Sequence, residues 1–265
     1  MALPDLFLPL LSDAGRSALF LDFDGTLSPI VEDPVAARPL PGVPRLLAGL
    51  AERFALVAVI SGRPTAFLES SLSAPPGVVL AGLYGLEMEL GATAAARWSG
   101  VIDQVVAEAS AEAPPGVYVE PKGLTVTLHW RRAPEARPWV AAFAERQCAG
   151  RGLRVHPGRR ELELRPALEV DKGTVVRALA ARQDLPLHAV AVFGDDLGDL
   201  PAFQAVGELV TGTNPEMTVI RVAVVDAESP PEVAAGADLT VAGAPGAVAL
   251  LEALAQAVQE TGVGG

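Results

Sequence analysis

The chain has 265 residues, half of them hydrophobic, which is enough to bury the core of one large domain or two smaller ones and excludes disorder as a description of the whole. Lys and Arg number 20 against 32 Asp and Glu, and the resulting charge of −12 argues against nonspecific nucleic-acid binding, which needs basic surface to neutralise phosphates. A phosphorylated small molecule stays compatible with this charge, because a local cluster of Arg, Lys and metal overrides the global field.

In chain order, the apolar stretch Leu6–Leu11 has no basic segment before it and is broken by Pro4, Asp5 and Pro9. It reads as the lead-in to a first helix rather than as a secretion signal. No window holds about 18 uninterrupted apolar residues, so no membrane partner is expected and a cytoplasmic location is the default. Leu19–Phe23, Leu56–Ile60, Val78–Ala81 and Ala189–Phe193 are short β-rich apolar runs. Runs of this kind mark strands buried on both faces, as in a parallel sheet covered by helices. Pro41–Phe54 and Lys172–Arg182 carry Leu, Val and Ala at helical spacing. The expected fold is therefore α/β, with a doubly wound, Rossmann-like parallel-sheet core.

Leu86 to Arg165 behaves differently. Thr125–Trp130 alternates small polar with apolar residues, and Glu161–Arg165 alternates charge with Leu. Alternation implies sheets with one buried and one exposed face, usually antiparallel. Two helical stretches, Val101–Ala111 and Pro134–Cys148, lie among them. These features predict a small α+β domain at 86–165 inserted into a core formed by 1–85 and 166–265. Cys148, the single cysteine, excludes an intramolecular disulfide and a zinc-thiolate cluster, and reads as buried filler. Gly262–Gly265 reads as a frayed end. No exposed apolar stripe stands out, and a monomer is the expectation.

Four segments end or follow the core strands, where open α/β sheets place their ligand sites. In Asp22-Phe23-Asp24-Gly25-Thr26 the two carboxylates are two apart, so extended backbone points them the same way. They repel unless a cation or proton separates them; a hard cation such as Mg²⁺ does so and leaves one carboxylate free to attack phosphorus. A strand followed by an acidic turn is the plain alternative. Ser61-Gly62-Arg63 sets a hydroxyl beside a glycine turn suited to a phosphate oxygen, although Ser-Gly is also an ordinary turn. Lys172, in Asp171-Lys172-Gly173, is a candidate point charge for phosphate, with Asp171 a helix N-cap. Gly194-Asp195-Asp196-Leu197-Gly198-Asp199 brings three carboxylates to another strand end. A calcium loop of the EF-hand type would need a glutamate where Val206 stands.

These motifs, in this order, resemble the haloacid dehalogenase-like superfamily of phosphatases over residues 19–199. The resemblance implies Asp22 as nucleophile, Asp24 as general acid–base, and Ser61 and Lys172 as holders of the phosphoryl group. It further implies Mg²⁺ on Asp22, the Asp24 main-chain carbonyl and Asp195, with Asp196 or Asp199 in support. The insertion would be a cap that closes over the substrate. Gly25, Thr26 and Arg63 are counted among the substrate-binding residues.

Within the insertion, the spacing of two pairs Glu120 with Lys122, His129 with Arg131, and Glu161, Glu163 and Arg165 together. A mixed patch of this kind suits the dense hydroxyls of a sugar; a solvated sheet face with cross-strand ion pairs is the alternative. His156 and His188 lack such neighbours and read as structural. Val119-Glu120-Pro121-Lys122, His129-Trp130-Arg131 and Glu163-Leu164-Arg165-Pro166 before Lys172-Gly173 are similar to the trehalose-6-phosphate phosphatases. That resemblance implies a sugar phosphate substrate, trehalose 6-phosphate, with Glu120, Lys122, His129, Arg131, Glu163 and Arg165 binding it. Tyr84 stands where that family usually has His, and Leu197-Gly198-Asp199 where Thr-Asp-Glu is common. Sucrose 6-phosphate and mannosyl-3-phosphoglycerate are the neighbouring substrates, a phosphomutase is a further enzyme alternative, and a non-catalytic sugar-phosphate-binding regulator is the reading from another class. A regulator would be expected to lack Asp22, Asp24 or Lys172, and all three are present.

Overall fold

The computed structural model describes residues 2–31, 36–90, 92–158, 160–182, 186–212, 215–227 and 229–262. Among them are the strands β1 (Ser17–Leu21), β2 (Leu56–Ile60), β3 (Val78–Ala81), β4 (Tyr118–Pro121), β5 (Val126–His129), β6 (Leu153–Gly158), β7 (Glu161–Pro166), β8 (Ala189–Gly194), β9 (Thr218–Val225) and β10 (Leu239–Ala242). They divide between two compact units, Met1–Gly85 with Val170–Gly265, and Leu86–Glu169. The second boundary falls after Glu169 rather than Arg165, because β7 runs to Pro166 and the Ala167 N–H then donates to the Gly152 carbonyl at 2.9 Å.

The larger unit holds a six-stranded parallel sheet in the order β10-β9-β8-β1-β2-β3. β1, β2 and β8 are buried along their whole length, which is why their sequences are apolar without alternation. Leu19, Leu21, Val57, Val59, Ala191 and Phe193 pack on one face with Leu10, Leu47, Leu50 and Leu251 of the helices Leu8–Ser12, Val43–Ala51 and Gly243–Gly262. The helix Leu200–Gly212 packs against β8 and β9. β9 and β10 are not among the apolar runs expected as core strands. In β9 the run is broken by Arg221, whose Nε donates to the Phe203 carbonyl at 3.0 Å and whose Nη1 lies 3.6 Å from Asp238. Gly262 closes the last helix, and the remainder of the expected frayed end lies outside the described residues.

From β1 the chain moves out to β2 and β3, and after the insertion it returns on the other side of β1 to β8. Strand order therefore reverses between β1 and β8, and the crevice beyond their carboxyl ends is where such sheets bind ligands. β1 stops at Leu21, two residues before the expected end, yet the Asp22 N–H still donates to the Phe193 carbonyl at 3.0 Å.

The smaller unit holds a four-stranded antiparallel sheet in the order β4-β5-β7-β6. Val126, Leu128, Leu164 and Leu153 bury one face against Ile102, Val105, Val140 and Phe143 of the helices Ala92–Glu112 and Arg137–Cys148. Cys148 is half-buried at the edge of this cluster rather than fully buried. Among the described residues no helix is long and apolar enough to cross a membrane.

Candidate active site

At the carboxyl end of β1, Asp22 is buried and meets Asp195 and Asp199 from the loop after β8, their oxygens within 4.8 Å of one another. The fourth member arrives from the helix Lys172–Ala180. Asp171 caps that helix by accepting the Thr174 N–H at 2.8 Å, which fixes Lys172 in its first turn. The Lys172 ammonium donates to Asp22 Oδ1 at 2.5 Å and to Asp199 Oδ1 at 2.6 Å.

Charge in this cluster does not balance. Burial pushes the Asp22 pKa well above the usual carboxylate range; Lys172 pulls it down, and Asp199 and Asp196 push it up again. Asp195 is raised likewise, by burial first and then by repulsion from Asp22, Asp196 and Asp199. For Asp199, burial outweighs the opposing pull of Lys172. Burial works against the charge on Lys172, but Asp199 and Asp22 outweigh it and hold the ammonium well above the ordinary lysine value. Three buried carboxylates thus face one buried cation. An all-oxygen donor set with unneutralised negative charge fits a hard divalent cation, and these residues could bind one.

Two glycines make room for the carboxylates of Asp195 and Asp199. Gly25 has φ +83°, and a Cβ there would lie 2.2 Å from Asp195 Oδ2; at Gly194 a Cβ would lie 2.2 Å from Asp199 Cγ. Asp199 Oδ2 accepts the backbone N–H groups of Asp195 at 2.9 Å and Asp196 at 3.2 Å, so Asp199 ties Lys172 to the loop. Asp196 turns to its own loop, its Oδ1 accepting the Gly198 N–H at 2.8 Å. Gly25→Ala should therefore destabilise the protein by roughly 2 kcal/mol, from left-handed backbone strain together with the displaced carboxylate. A thermal melt within one degree of wild type would mean that Asp195 does not lie against Gly25.

Asp24 is engaged by Arg63 through two parallel bonds, Nε to Oδ2 at 2.8 Å and Nη2 to Oδ1 at 2.9 Å. The guanidinium also stacks 4.7 Å from the Phe67 ring centroid. Arg63, expected among the substrate residues, thus aims a carboxylate in this structure. Ser61 Oγ accepts the Arg63 N–H at 3.1 Å, and the Thr26 hydroxyl is buried with no hydrogen-bond partner among the described residues. Tyr84, in left-handed backbone at φ 57°, donates its N–H to the Ser61 carbonyl at 2.9 Å. Its ring packs on the turn at Gly62, where a Cβ would lie 2.6 Å from the phenol oxygen, and reaches Gly198 in the loop after β8. The one signal for this packing in the sequence was the tyrosine at the family's histidine position.

In the smaller unit, one face of the sheet carries a continuous polar chain. His129 Nδ1 lies 2.9 Å from Glu161 and its Nε2 2.8 Å from Glu120. Lys122 follows, 3.6 Å from Glu120 and 3.6 Å from Glu163, and the Thr125 hydroxyl donates to Glu163 at 2.8 Å. Arg165 is buried on the same face of β7. β5 ends at His129, so Arg131 sits in the following turn, where alternation does not govern it, and none of the ion pairs among the described residues includes it. Sequence reasoning passed over Tyr118, stacked on His129 with centroids 5.5 Å apart, and read His156 as structural and without such neighbours, whereas it lies opposite Glu163 in register. The alternation of β6 was the available signal, masked by Pro157 and Gly158 at its end.

Residues 20–235 match the trehalose-phosphatase family model. The trehalose-phosphate phosphatase of Mycobacterium marinum is 38% identical over 205 residues, 72% of this chain, and that of Mycobacterium avium 41% identical over 208 residues, 73% of it. The aligned part spans about half the length of these relatives, 52% in each. Among solved structures, the C-terminal domain of C. albicans trehalose-6-phosphate phosphatase superposes with a TM-score of 0.72 at 25% identity, covering 98% of this chain and 99% of that one. A trehalose-6-phosphate phosphatase related protein superposes at 0.73 with 23% identity, covering 92% and 99%, which speaks to the fold.

Proposed function

Because the chain belongs to the trehalose-phosphatase family, we propose that it is a Mg²⁺-dependent phosphatase hydrolysing trehalose 6-phosphate to trehalose and phosphate through a phospho-aspartate on Asp22. The observation that carries this reading is the buried Lys172 ammonium held between Asp22 and Asp199 at the point where strand order reverses.

Asp22 attacks phosphorus as the bond to the sugar oxygen breaks, and Asp24, aimed by Arg63, gives that oxygen a proton. Asp24 then takes a proton from the water that attacks phosphorus, and Asp22 leaves as a carboxylate. Lys172, Ser61 and the Thr26 hydroxyl hold the phosphoryl oxygens. Mg²⁺ on Asp22, the Asp24 carbonyl and Asp195, backed by Asp196 or Asp199, would supply the charge neutralisation that lets an anion approach a phosphate. In the smaller unit Glu120, Lys122, Glu163 and Arg165 bind sugar hydroxyls. On this reading the enzyme works as a cytoplasmic monomer.

With Mg²⁺ present, phosphate release from trehalose 6-phosphate should exceed that from sucrose 6-phosphate and mannosyl-3-phosphoglycerate by at least ~10-fold in kcat/KM. EDTA should abolish it. Equal rates across the panel would remove the substrate assignment, and no release from any of them would remove the enzymatic one.

A further inference from the structure

His129 has an environment that a sugar ligand would not need. Its side chain is 12% exposed, and each ring nitrogen faces a carboxylate: Nε2 that of Glu120 on β4, Nδ1 that of Glu161 on β7. A neutral imidazole offers one N–H and one lone pair, which would leave a lone pair facing a carboxylate. The second proton belongs on the ring, the more basic partner. Both nitrogens are then spent, and Tyr118 covers one ring face.

We infer that His129 is a positioning residue: as an imidazolium bonded at both nitrogens, it fixes the Glu120 and Glu161 carboxylates for sugar hydroxyls and does not itself contact the sugar. This rests on the function proposed above. The surrounding groups are consistent with it. Tyr118 and Glu120 share its face from β4, with Lys122 just beyond that strand's end beside Glu120 and Glu163; Glu161, Glu163 and Arg165 share it from β7, and Arg154 and His156 from β6. Glu120 thereby has His129 on one side and Lys122 on the other, so signs alternate from Glu161 through to Glu163. Burial opposes charge on the ring, but the bonds to Glu120 and Glu161 outweigh it and raise the pKa above the ordinary histidine value. A raised histidine pKa gives order that is complete below the unfolded value and is lost as pH rises through the folded one.

The test is ¹⁵N NMR of the full chain, with the signals of His129 assigned through His129→Asn, alongside pH profiles of KM for trehalose 6-phosphate. Expected are two protonated ring nitrogens on His129 at pH 7.5, and a wild-type KM that climbs on the alkaline side. His129→Asn and His129→Gln, each able to donate to one carboxylate alone, should show KM raised about 10-fold, flat with pH, and kcat within about 2-fold. Circular dichroism checks that both fold. An unprotonated ring nitrogen at neutral pH overturns the inference, as does an unchanged KM in both variants. If no sugar phosphate is turned over, the preceding reading fails, while the imidazole spectrum, which needs no substrate, still decides this one.

Discussion

Asp22→Asn should lower phosphate release from trehalose 6-phosphate by at least ~10⁴-fold while the protein melts at a higher temperature than wild type in EDTA. The first effect follows from removing the proposed nucleophile, since an amide cannot form the phospho-enzyme and loss of a nucleophile commonly costs that much. The second follows from the site's electrostatics. Burial, with Asp199 and Asp196 adding repulsion, disfavours the charged form of Asp22 beyond what Lys172 restores. A carboxylate whose folded pKa is raised weakens the fold at neutral pH, and that cost fades as pH falls through the folded value. The asparagine has nearly the same shape and none of this cost. Opposite changes in activity and stability exclude misfolding as the cause of the loss. Retention of even a tenth of the wild-type rate would end the case for Asp22 as nucleophile.

Lys172→Gln should act in the other direction on stability. The ammonium is buried and bonded to Asp22 and Asp199, so its removal strands both carboxylates near Asp195 without their counter-charge. Breaking such a buried pair typically costs about 3–5 kcal/mol. Its own raised pKa keeps the lysine charged through neutral pH, so this contribution is fully present there and is lost only in strongly alkaline solution. In EDTA the variant should melt well below wild type, and Mg²⁺ should recover more of its melting temperature than it adds to wild type, because a cation then meets a larger deficit of positive charge. Turnover should fall ~10³-fold, since the phosphoryl group loses a fixed positive partner. Lys172→Arg should not rescue it: a planar fork does not replace a point charge between two carboxylates. A melt in EDTA equal to wild type would show that Lys172 does not hold the cluster together.

Much of the core was legible because its signals are local. Leu56–Ile60 and Ala189–Phe193 are buried on both faces, and unbroken apolar runs of that length announce it. The carboxylates of Asp22 and Asp195 sit immediately beyond strand ends, so finding the strand finds the candidate. β9 escaped because Arg221 interrupts its run, and the partners that make an arginine tolerable there, the Phe203 carbonyl and Asp238, are distant in sequence.

What the sequence by itself determined is the inventory and order of these parts: an α/β core, an insertion of different periodicity, acidic strand ends, and a lysine at a capped helix start. The tertiary structure alone decided who faces whom. Arg63 meets Asp24, Asp199 ties Lys172 to the loop after β8, Gly25 yields its Cβ space to Asp195, and both nitrogens of His129 meet carboxylates. The physical reason is that periodicity reports which face of an element a side chain occupies, whereas a pair contact depends on strand order and register. Those are set by packing among elements far apart in the chain, and no local pattern records them.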